Sequence, residues 1–120
     1  MSDQQLTVTK RWPRKRRSQR IEFNASVVVH RPSRGGSLFS ERAQTLVVNA
    51  HGALLALAEK VAPQQRLLMQ NVDSGEQKEC RVVYVRKEVT GPTKVAVEFT
   101  QPAPKFWRIA YPPADWTPSA

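Results

Sequence analysis

Ile21-Glu22-Phe23-Asn24-Ala25-Ser26-Val27-Val28-Val29-His30 is the stretch on which the reading of this chain turns. Ile21, Phe23, Ala25, Val27 and Val29 fall on one side of a two-residue period. Glu22, Asn24, Ser26 and Val28 fall on the other, which is the pattern of a strand with one face in a core.

Toward the C-terminus the same kind of segment recurs. The first strand ends at His30-Arg31-Pro32, and Ser33-Arg34-Gly35-Gly36 supplies a loop. Ser37–Val48 reads as a second strand, closed by Asn49-Ala50-His51-Gly52, residue types that tolerate left-handed backbone. Gly52–Leu57 is a third strand, because so few residues between two breakers favour a strand over a helix. A turn through Val61-Ala62-Pro63 leads to a fourth strand, Arg66–Val72, and Asp73-Ser74-Gly75 is a hairpin signal. The fifth strand, Lys78–Glu88, is expected to carry Cys80, Val82 and Tyr84 on one face and Arg81, Val83, Val85 and Lys87 on the other. Thr90-Gly91-Pro92 turns the chain into a sixth strand, Lys94–Thr100. Six short strands with breakers at most joins imply an antiparallel barrel or sandwich, and no strand–helix–strand rhythm supports a parallel sheet.

Toward the N-terminus the character is different. Seven basic residues against Asp3 alone lie in residues 1–20, so this sixth of the chain holds +6 of the formal +9. Such asymmetry points to a phosphate-bearing partner or an anionic surface. The layout is therefore a flexible basic arm over 1–20, a β-domain over 21–100 and a tail over 101–120. The tail holds five of the nine prolines together with Phe106, Trp107, Tyr111 and Trp116, and reads as a strap over one end of the β-domain. Only Pro104–Ala110 has the composition for a helix there, about two turns long.

Catalytic chemistry is not legible. His30 and His51 stand alone without metal-ligand spacing, so no metal site is expected. Cys80, the only cysteine, sits mid-strand, where a buried inert thiol is the ordinary outcome. No nucleophile elbow or phosphate-binding loop is present. A non-enzymatic protein follows, and with no signal-like segment or apolar run of spanning length, a cytoplasmic one.

Two stretches carry a resemblance. Arg16-Arg17-Ser18-Gln19-Arg20 places two arginines four apart just before the first strand, and Asn49-Ala50-His51-Gly52 joins the second and third. The combination resembles the PilZ domain family of bacterial cyclic di-GMP receptors, which joins an Arg-x-x-x-Arg arm to an Asp/Asn-x-Ser-x-x-Gly turn on a six-stranded antiparallel β-barrel. The likeness extends through Cys80–Lys87 and Val95–Phe99. It implies a closed barrel and cyclic di-GMP as ligand, bound by Arg16 and Arg20 with Asn49 and Gly52, and by Arg17 as an auxiliary phosphate contact. The chain departs from the pattern at two positions: Val47 stands where the family has Asp or Asn, and Asn49 where it has Ser.

Three functions compete on this sequence. The first is the cyclic di-GMP receptor, in which an arginine fork binds guanine O6 and N7, pairs with phosphate or stacks on a purine. The second is a barrel that binds a protein partner without nucleotide, through its surface and aromatic tail. The third is a general nucleic-acid binder acting through the arm, recognisable by steep salt dependence.

Overall fold

The computed structural model describes residues 18–31 and 39–116. Its strands are β1 (Ile21–Glu22), β2 (Ser26–Arg31), β3 (Phe39–Asn49), β4 (Gly52–Leu57), β5 (Arg66–Asn71), β6 (Gln77–Arg86) and β7 (Thr93–Phe99). Every pairing is antiparallel. From β3 the order runs β2, β5, β6, β7, β4, and β4 returns to β3 to close a six-stranded barrel. The short β1 stays outside the ring, paired with the end of β3. Closure leaves no free edge in the ring, so its backbone polar groups are satisfied strand to strand.

The single first strand expected from residue 21 onward is two strands with a bulge between them. Ile21 and Glu22 pair with Val48 and Val47, while Ser26 pairs with Gln44, so three residues oppose two on β3. Thr45 repairs the gap from inside: its hydroxyl donates to the Phe23 carbonyl at 2.6 Å and accepts the Ala25 N–H at 2.8 Å. Asn24 donates its amide to the Thr45 carbonyl at 2.7 Å.

A second slip corrects the expected faces of the fifth strand. The β6–β7 register shifts between Val82 and Tyr84. Because side chains alternate with a period of two, one extra residue reverses everything beyond it. Cys80 and Val82 point into the barrel, but Tyr84 turns outward and Val85 packs inward.

The interior is filled by Val27, Val29, Leu55, Leu57, Leu67, Met69, Val82, Val95 and Val97, all fully buried. Each such side chain stabilises the fold by about 1.5–3 kcal/mol through removal from water. The two ends are closed differently. At one, the segment after β7 folds over the opening and inserts Phe106, Trp107 and Trp116 into the core. Phe106 and Trp107 meet edge to face at 4.9 Å between ring centroids, and Phe99 meets Phe106 at 5.1 Å. The tail is thus the strap its composition implied. At the other end, residues 58–65 must cross beneath the barrel, because β4 and β5 are not neighbours. Val61 packs against the core on the way.

The helix expected over Pro104–Ala110 is a single turn. Phe106 N–H donates to the Ala103 carbonyl and Arg108 N–H to the Lys105 carbonyl, after which Arg108 takes a left-handed φ of 58° and ends the coil. Among the described residues of the tail, helical structure is confined to one 3-10 turn, Ala114–Trp116. Burying two adjacent aromatics, Phe106 and Trp107, together holds the segment in this irregular path.

Candidate functional site

The root of the basic arm is fastened to the barrel by a node of hydrogen bonds at the strap end. Ser18, 2% exposed, sits over the β3–β4 turn. Its hydroxyl accepts the Ala50 N–H at 3.1 Å and meets Nδ1 of His51 at 2.9 Å. Asn49 donates its amide to the Ser18 carbonyl at 3.2 Å and accepts the His51 N–H on Oδ1 at 2.8 Å. The strap holds the same root from the other side. Gln19 N–H is cradled by both carboxylate oxygens of Asp115 at 3.0 and 3.2 Å, and Trp116 Nε1 donates to the Gln19 carbonyl at 2.6 Å. Trp107 Nε1 donates to the Asn49 carbonyl at 2.9 Å, so turn, strap and arm root form one unit.

Beside this node runs the outer wall of β3, β4, β7 and β6. Cross-strand pairing lines up Val47 with Leu54, Leu54 with Ala96, and Ala96 with Tyr84. These four make an apolar row on the outer side of the wall, separate from the barrel interior, in which Val47, Leu54 and Ala96 are buried and Leu46, Val83 and Tyr84 pack against them. On the side nearer the strap stands the Glu98–Arg81 ion pair, 3.6 Å apart. On the other side stand the paired Lys94 and Arg86. A shallow open cavity of about 590 Å³ lies in front of the row, lined by Phe23, Leu46, Val47 and Leu54 with Glu22 and Lys94 at its rim.

The residues singled out in the sequence fall in different places. Arg16 and Arg17 lie outside the described residues, as does the Ser33–Gly36 loop. Arg20 is half-buried immediately before β1. Asn49 is buried, with its side chain engaged by Ser18 and His51. Gly52 opens β4 opposite Glu98, and a Cβ there would drive into the Val97 carbonyl. Close backbone approach therefore requires glycine, while the left-handed backbone expected at Asn49–Gly52 is absent. Among the described residues, positive φ is found at Gln64, Gly75, Gly91 and Arg108. Val47 lines the outer cavity.

Sequence reasoning passed over Ser18, Asp115 and Trp116 as members of this node, and Lys94 and Tyr84 as members of the wall. Ser18 lies inside the arginine motif, where its charged neighbours drew the attention, and Asp115 lies 96 residues from the backbone it holds. For Tyr84 the signal was hidden by the bulge that turns it outward.

Among the described residues no group of three or more His, Cys, Asp or Glu is placed to hold a metal ion. Cys80 is buried; burial pushes its thiol up from 9.0 to about 12, and the neighbouring Glu79 carboxylate adds to the rise. A thiol held protonated in this way is not a nucleophile. No helix among the described residues is long and apolar enough to cross a membrane. No protein-family model matches the chain, and no curated protein is significantly similar to it.

Proposed function

We propose that the chain is a PilZ-like, non-enzymatic receptor for cyclic di-GMP. In this reading the ligand lies on the outer wall in the cavity beside β1, and Arg16, Arg17 and Arg20 close over it from the arm. The observation that carries the proposal is the latch of Ser18 onto the Asn49–Gly52 turn. The latch holds Ser18, the residue between the sequence's Arg17 and Gln19-Arg20, at that turn. Phe23 and Leu46, both only partly buried, offer a purine apolar surface in the cavity, and Lys94 offers a phosphate a cation. Asn49 and Gly52 support the site indirectly: Asn49 holds the arm root, and Gly52 lets β4 and β7 approach closely.

Calorimetric titration with cyclic di-GMP tests the proposal. Saturable heat is expected from the native chain and loss of it from Arg16→Ala/Arg20→Ala, with Arg11→Ala/Arg14→Ala left near native. Val47→Asn, which restores a polar group at the cavity, should tighten binding by about tenfold, or 1.4 kcal/mol. No heat at high protein concentration sinks the reading. Equal competition by a short RNA, falling steeply with salt, would instead identify a general nucleic-acid binder.

A second reading is favoured by one observation: Val47 and Leu54 are apolar where a ligand edge needs polar groups, and the Asn49 amide is already engaged. It keeps the barrel as a protein-interaction adaptor without nucleotide. Partner capture that is unchanged by cyclic di-GMP and by Arg16→Ala/Arg20→Ala would select it.

A further inference from the structure

The strap carries a second concavity, remote from the Val47 cavity, of about 790 Å³. Its apolar surface comes from Pro104, Ile109 and Pro112, and its cations from Lys105 and Arg108. Tyr111, between two residues that line it, is 93% exposed. Among the described residues neither Lys105 nor Arg108 has an ion-pair partner, although Glu76 also lines the groove. Arg108 also holds a left-handed φ of 58°, a conformation that long side chains seldom adopt.

We propose that this groove is a docking site for an acidic peptide segment of a partner protein. One apolar side chain of the peptide packs against Ile109 and the two prolines, and flanking carboxylates pair with Lys105 and Arg108. Charge complementarity decides the occupant. This chain's own N-terminal residues carry +6 and would meet like charge in the groove. A second copy carries the same net charge of +9 and the same cations in its own groove. A segment rich in Asp and Glu meets unpaired cations, and electrostatic attraction speeds its encounter. Backbone-rigid prolines and the anchored strap give the groove a preformed shape, which lowers the ordering cost of binding. The site does not depend on whether the arm takes cyclic di-GMP.

The test is peptide display on the full chain with a random twelve-residue library, followed by fluorescence anisotropy of the selected peptides. Recovered peptides should hold two or more carboxylates around one large apolar residue. Their affinity should fall at least tenfold on Lys105→Glu/Arg108→Glu and stay within twofold on Arg16→Ala/Arg20→Ala. Both strap residues are exposed, so the charge reversal should leave the melting temperature unchanged. Amide shift perturbation should map the peptide to Lys105–Tyr111. The proposal is overturned if no selected peptide depends on Lys105 and Arg108, if the shifts fall on Ser18–Ile21 instead, or if sedimentation shows a dimer broken by the charge reversal. Cyclic di-GMP titration of Lys105→Glu/Arg108→Glu should match that of the native chain, so failure here is distinct from failure of the nucleotide reading.

Discussion

The two ends of the barrel are built on different principles. The strap end gathers three chain segments that are far apart in sequence. Ser18–Gln19, Asn49–Gly52 and Phe99–Trp116 are joined by indole and amide hydrogen bonds over a floor of packed aromatic rings. At the opposite end the crossing segment is held by Glu41, which accepts the Ala58 and Glu59 N–H groups at 2.7 and 2.9 Å in exposed surroundings, and by backbone bonds of Gln64 and Gln65 to Val82 at 2.7 and 2.8 Å. A network buried away from water is costly to break, because each orphaned group loses its partner without regaining solvent. An exposed bond exchanges with water at little cost. The strap end is therefore the rigid reference of the molecule, and it is there that the basic arm is rooted.

The largest expected effect comes from removing the strap's anchor. Trp107→Ala loses the indole volume and the bond to the Asn49 carbonyl and should cost about 3–5 kcal/mol in urea denaturation. A cost below 1 kcal/mol would mean that the strap is not part of the core. Gly52→Ala should cost about 3 kcal/mol, at the upper end for overpacking, because backbone rather than a side chain occupies the space. Asn49→Ala should cost about 2 kcal/mol by leaving the Ser18 carbonyl and His51 N–H unpartnered. Faster amide exchange at His51 would accompany it if Asn49 holds the node as described.

Cys80 reports on the closure of the same end, since it lies opposite Phe99 inside the barrel. Its thiol is pushed up to about 12 in the folded chain and ionises near 9.0 when exposed. Between these values the unfolded state has lost a proton that the native state keeps. Stability therefore falls as pH rises, by about 1.4 kcal/mol per pH unit from this group alone. The difference between the native chain and Cys80→Ala should follow that slope above pH 9. A pH-independent difference would show that water reaches the thiol. The smallest effect belongs to the other end: Glu41→Gln should cost about 0.5–1 kcal/mol, with native strand exchange otherwise retained. A loss as large as that of Asn49→Ala would erase the contrast between the ends.

Much of the fold was legible because strands announce themselves locally. Gly52–Leu57 was bounded correctly from its breakers, and the remaining strands after residue 37 were located to within two residues at either end. The two misreadings among the strands share one cause. A bulge at Phe23–Ala25 splits the first strand, and another near Val83 turns Tyr84 outward, yet neither disturbs the local composition. The candidate site was less legible. Arginine spacing points to the arm, but the partners of Ser18 and Gln19 are 31 to 97 residues distant.

Alternation and breakers thus determined by themselves that this chain is all-β, where its strands lie and that its charge is concentrated before them. Those properties depend on neighbours within a few residues. Tertiary structure alone decided that the sheet closes, that Asn49 and Gly52 serve the backbone around them, and that Val47, Leu54, Ala96 and Tyr84 form one outward row. The physical reason is that register and burial are set between strands: a one-residue slip leaves the sequence pattern intact while exchanging the inside of a barrel for its outer wall.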